Sequence, residues 1–236
     1  MSLYDRKINQ SVVDSRADEH FGDRAIEQEF AGSRIAFIKQ TYQLLTASLI
    51  AATGGAFLGI TYIKEASWTL LILEFAMLFG LFFAKNKPNL ALILLFGFTF
   101  VSGLTLGPVL NMYIGAGMGN VITQAFLMTS VAFAGLTLFA FNTKRDFSAM
   151  GKMLFITLIV VVVASLANLF FHSPILQLAI AGVGAILFSA FILYDTQNII
   201  RGAYDSPVLA AVALYLDILN LFISLLQILG VFNSRD

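Results

Sequence analysis

Seven apolar stretches, at 41–62, 68–84, 89–110, 119–141, 152–171, 174–199 and 207–230, dominate a chain of 236 residues. A helix needs about 20 such residues to cross about 30 Å of hydrocarbon. Inside that layer only a helix or a closed barrel satisfies its own backbone. The pattern predicts an all-α membrane protein with seven transmembrane helices. Composition agrees: 58% of the residues are hydrophobic and 12% charged, where a soluble domain carries about 45–50% and about 25%. The charges are also segregated, since 13 of the 28 lie in the first 40 residues. The chain therefore divides into a polar N-terminal tail, 1–40, and a transmembrane domain, 41–236. Soluble enzyme, nucleic-acid binder and disordered protein are all disfavoured by this arithmetic.

Turn chemistry separates the spans. Lys64 and Glu65 interrupt the first pair, Lys85-Asn86-Lys87-Pro88 the second, and Asn111 to Gly119 the third. His172-Ser173-Pro174 and Asp205-Ser206-Pro207 each put Ser at an N-cap and Pro at the first helical position. Cytoplasmic loops collect Lys and Arg. With the tail inside, that side holds Arg34, Lys39, Lys85, Lys87, Lys144, Arg145, Lys152 and Arg201, and the other side only Lys64 and Arg235. The N-terminus is expected in the cytoplasm and the C-terminus outside. The polar start shows no cleavable signal peptide, so the first span is expected to act as an uncleaved anchor.

The chain has no cysteine and two histidines, which excludes disulfides, thiolate catalysis and a histidine-rich metal site. Nucleotide loops, a serine-hydrolase elbow and His-Glu-x-x-His are absent, and no Gly-x-Gly-Asp precedes the membrane aspartates. An enzyme is the least favoured reading, and no cofactor is expected.

Charged groups in hydrocarbon cost a few kcal/mol each and are functional candidates by default. Three acids qualify, Glu74, Asp195 and Asp217, with no base at matching depth. Spans six and seven form a hairpin turning near Asp205-Ser206. Asp195 and Asp217 lie ten and eleven residues from that turn, which places both somewhat over ~10 Å inside the membrane. If their faces converge, the two carboxyls can share one proton. Asp217, Asn220, Ser224 and Gln227 follow one another at helical spacing, extended backward by Ala213 and Ala210, and make one polar and small stripe along span seven. The stripe is either a hydrogen-bonding seam between helices or the wall of a polar path. Glu74 has two readings as well: a third functional acid, or a carboxyl kept protonated against a neighbouring Ser or Thr. Gly55-x-x-x-Gly59 and Gly103-x-x-x-Gly107 permit close helix approach.

Phe100-Val101-Ser102-Gly103-Leu104-Thr105, Thr143-Lys144-Arg145-Asp146-Phe147-Ser148, Leu193-Tyr194-Asp195-Thr196-Gln197 and Leu214 to Phe222 resemble the Bax-inhibitor (transmembrane Bax-inhibitor-motif) family. Gly107 to Tyr113 followed by Gly115 to Gly119 is similar to its bacterial YccA-like branch. The resemblance implies seven helices with the last one central and wrapped by the other six. It implies a pH-sensitive calcium leak with Asp195 and Asp217 as proton sensor and cation path. It also implies a latch on that pair, at the position held here by Lys85, which lacks the bidentate fork of Arg. Glu74 matches the family's second-helix acid. The branch is further associated with the membrane-anchored AAA protease FtsH, as substrate and modulator.

The expected function is an integral membrane protein of the bacterial inner membrane that forms a pH-sensitive calcium leak. Its metal contacts would be those of Asp195 and Asp217 with the permeating ion, since calcium favours carboxylate and carbonyl oxygens. The alternative is a non-conducting modulator and substrate of FtsH that engages the protease through its N-terminal tail. Partners are the lipid bilayer and, on the alternative, that protease.

Overall fold

The computed structural model describes residues 3–65, 67–84 and 87–233, with side chains from Ala31 onward. Seven α-helices follow in order: α1 (Leu3–Tyr62), α2 (Trp68–Phe83), α3 (Pro88–Gly115), α4 (Gly119–Asn142), α5 (Gly151–Phe171), α6 (Pro174–Arg201) and α7 (Pro207–Asn233), with a 3-10 turn at Ser148–Met150 before α5. Among the described residues every regular element is helical. The chain forms two units, Met1–Gln40 and Thr41–Asp236. The first is helical from Leu3, more than its mixed charges indicate.

Among the described residues six helices are long and apolar enough to cross a membrane; α2 is apolar but has 16 residues. At 1.5 Å per residue it measures about 24 Å, short of a ~30 Å hydrocarbon layer. The expected break after residue 110 falls later. α3 continues through Pro108 to Gly115 and closes at Gly117, whose φ is 76°. Met118 N–H bonds to the Tyr113 carbonyl at 2.9 Å and Gly117 N–H to that of Ile114 at 3.0 Å, the bonding of a Schellman cap. Proline inside a membrane helix is tolerated where neighbouring helices satisfy the freed backbone groups.

Both glycine pairs meet. A methyl on Gly59 would stand 2.6 Å from the Leu104 carbonyl oxygen, and one on Gly103 2.9 Å from the Ala56 amide nitrogen. Gly55 abuts the Phe100 carbonyl and Gly107 abuts Gly59. The two small-residue faces therefore bring α1 and α3 together backbone to backbone.

α6 and α7 make the most extensive helix pairing, and α7 also packs on α4 and α3. Half of α7's most apolar window is buried, against 11% for α5. Phe188, Ile192 and Leu221 knit α6 to α7, and Leu226 joins Leu110, Tyr113, Val121 and Ala125 between α3, α4 and α7.

Candidate functional site

The site is built on the α6–α7 hairpin. α6 ends at Gly202, whose φ of 72° lies in the left-handed region; only glycine enters it without a Cβ penalty. Ala203 N–H then reaches back to the Asn198 carbonyl at 2.9 Å and Gly202 N–H to that of Ile199 at 3.1 Å. The next helix opens with Ser206, whose hydroxyl accepts from Val208 N–H at 3.2 Å. At the opposite end of α6, the Ser173 hydroxyl accepts from Leu176 N–H at 3.3 Å. Both caps are of the kind that Ser before Pro announces.

Two long helices joined by a five-residue turn must run antiparallel, and this sets the aspartates. Asp195 lies six residues inside the end of α6 and Asp217 ten residues past Pro207, backbone depths of about 9 and 15 Å. Side chains lean toward their own helix N-terminus. Asp195 leans inward and Asp217 leans back toward the turn, so the difference in depth closes. Their carboxyls come close enough to interact. Both residues are buried, at 7% and 5% exposure. A hydrogen bond between two carboxyls needs one of them protonated, because a carboxylate only accepts. Asp217 Oδ2 has no hydrogen-bond partner. The Tyr204 hydroxyl and the Asn198 side chain lie beside Asp195. Among the described residues neither carboxyl is paired with Lys or Arg. Lys85, the candidate latch, lies outside the described residues.

Tyr204 sits in the turn, half-buried. Burial, and after it the Asp195 carboxyl, push its hydroxyl above the usual phenol range. It therefore stays an O–H donor.

The remaining expected residues go elsewhere. Glu74 is half-buried and lies beside Thr105 on α3, whose hydroxyl donates to the Val101 carbonyl at 2.9 Å. Beside it the Tyr215 hydroxyl bonds Ser102 and approaches the Thr99 carbonyl at 3.4 Å. Along the α7 stripe, Asn220 Nδ2 donates to its own helix at Leu216 O, 2.7 Å away. Ser224 packs where Gly184 leaves room on α6: a methyl on Gly184 would come to 2.7 Å of its Oγ. Gln227 is half-buried on the same helix. The Gly184 contact places Ser224 in the packing between α6 and α7.

Gln197, two residues after Asp195, carries a function that its motif position did not disclose. Its Oε1 accepts from Phe147 N–H at 3.0 Å and its Nε2 donates to the Arg145 carbonyl at 2.8 Å. One turn later Arg201 pairs with Asp146. The Asp146 carboxyl also accepts from Ser148 N–H at 2.8 Å. That bond and then Arg201 hold it down at about 2. The loop between α4 and α5 is thus strapped to the end of α6 that carries the aspartate. Tyr204 escaped the sequence reading entirely: a tyrosine in a short turn carries no spacing signal.

Among the described residues no group of three His, Cys, Asp or Glu side chains could hold a metal ion.

A family model described as inhibitor of apoptosis-promoting Bax1 matches residues 34–234. The chain belongs to the Bax inhibitor family. It is 54% identical over 243 residues to an uncharacterised protein of Campylobacter jejuni, covering the whole of both chains. It is 39% identical over 207 residues to the Escherichia coli protein named modulator of FtsH protease YccA, covering 84% of this chain and 91% of that one. To Bax inhibitor 1 of Schizosaccharomyces pombe it is 34% identical over 244 residues, 98% and 90% of the two chains. The Bax inhibitor match takes in α2 to α7 whole, so both aspartates and the strap lie within it. With its apolar helices the chain is a multi-pass membrane protein of this family.

Proposed function

We propose that this chain forms a cation leak across the bacterial inner membrane, with calcium as the permeant ion, gated by protonation of Asp195 and Asp217. The observation that carries the reading is the closeness of two buried carboxyls that have no basic partner among the described residues. A proton held between them is a cost-effective way to keep the pair inside hydrocarbon; losing it leaves two anions that attract a cation. On this reading α7 is the central helix, wrapped by the others, and its burial supports that place. The test is calcium flux into liposomes holding the purified full chain, across a pH series. A flux that changes with pH near neutrality is expected; absence of flux at every pH overturns the reading.

A second reading has its own support, the name of the Escherichia coli relative as a modulator of FtsH protease. On it the chain is a non-conducting partner of that protease and offers its polar N-terminal segment as the point of engagement.

A further inference from the structure

The turn that reverses the chain between α6 and α7 also floors a cleft of about 320 Å³. Leu78 and Phe82 of α2, Leu209 and Ala213 of α7, and Tyr204 of the turn line it. Ala213 is one helical turn before Asp217, so the two share a face of α7. The cleft therefore leads along α7 toward the aspartate pair. Tyr204 belongs to both places: it lines the cleft, and its hydroxyl lies beside Asp195. We infer that Tyr204 is the partition between this cleft and the aspartate pair, a positioning residue that bars the approach to the carboxyls from the turn side. The inference rests on the leak reading for what would cross the partition, but not for the partition itself. Its ring occupies the way in. Its hydroxyl stands beside a carboxyl that an arriving cation would need, so passage requires that the side chain move aside.

A chain without cysteine makes this directly testable, because any introduced thiol is unique. Asp217→Cys places a thiol behind the partition and Ala213→Cys one in the cleft. Each is made with Tyr204 and with Tyr204→Ala, in the full chain in lipid nanodiscs, and labelled with a charged, membrane-impermeant thiol reagent. The Ala213→Cys thiol should react at the same rate in both backgrounds, which also shows that the bundle has folded. The Asp217→Cys thiol should react slowly beside Tyr204 and faster by about tenfold or more with Tyr204→Ala, as expected if the open arrangement is a minor population. Equal rates for Asp217→Cys in the two backgrounds overturn the inference. So does an Asp217→Cys thiol as reactive as Ala213→Cys while Tyr204 is present, or an Ala213→Cys thiol that does not react at all. Calcium flux separates the two ideas. Tyr204→Ala should raise it; if neither wild type nor variant conducts while the labelling follows expectation, the partition stands and the leak reading falls.

Discussion

Asp195 and Asp217 come close because two side chains lean toward each other from different depths. Replacing either residue with Asn should abolish the pH dependence of calcium flux near neutrality. Asn keeps the shape and an accepting carbonyl but removes one titrating site and the repulsion between two anions. The double replacement should add little, since residues sharing one network are not additive; a wild-type profile in both single variants would place the sensor elsewhere, with Glu74 next in line. Asp146 offers a different titration. Its carboxyl is held at about 2 in the folded chain, below the ~3.9 of a free aspartate. The tie to Arg201 and Ser148 therefore contributes stability above about pH 4 and loses it as pH falls toward 2. Asp146→Asn should melt slightly below wild type at neutral pH in detergent, and the gap should close across that acid window. Of these residues the two aspartates and their similar depth were legible from the hairpin count. Gln197 and Tyr204 were not, because their partners lie in the α4–α5 loop and across a turn, where no periodicity says what a side chain reaches.

At the level of helices, all seven were legible from apolar length and cap residues, and the misplaced end has a local cause. The stretch after residue 110 carries Asn and several glycines, ordinary signs of a loop. It stays helical until the Schellman bonds at Gly117 end it. The glycine pairs were visible as spacings, yet spacing does not say which helix faces which, and only the structure sets Gly55 and Gly59 on Gly103 and Gly107. Gly103→Ala should destabilise the bundle by about 1–3 kcal/mol, the usual cost of overpacking, because its methyl would meet the Ala52 and Ala56 backbone rather than a side chain that can move. Gly182→Ala in α6 is the control. Nothing lies within 4 Å of its would-be methyl, so the helix gains propensity and should melt no lower than wild type. Equal losses in the two variants would mean that glycine matters here through helix flexibility and not through the α1–α3 contact.

For the whole molecule, the ends of α2, α4 and α6 gather near one another: Leu78 and Phe82 line the cleft at Tyr204, and the α4–α5 loop is bound to Gln197 and Arg201. Lys144, Arg145, Lys152 and Arg201 belong to this end, which the charge rule assigns to the cytoplasm. A reporter placed before Ser2 should read as cytoplasmic and one after Asp236 as external. The same side for both would make the number of crossings even, and α2, with 16 residues, would be the helix that fails to span. The two readings of function part at the other end of the chain. Residues 1–40 hold seven acids and six bases, a composition with too little apolar surface to supply a bundle core. The carboxyls, Tyr204 and the strap all lie beyond residue 140. Deleting residues 1–30 should therefore leave the melting temperature in detergent, and any calcium flux with its pH profile, close to wild type. Engagement of a membrane-anchored AAA protease, followed as turnover of the chain by that protease in proteoliposomes, should be lost with the tail. Turnover that persists without residues 1–30 would move protease recognition onto the helices. Flux that disappears with them would make the tail part of the conducting structure, and the path could no longer be ascribed to the aspartate pair and its approaches alone.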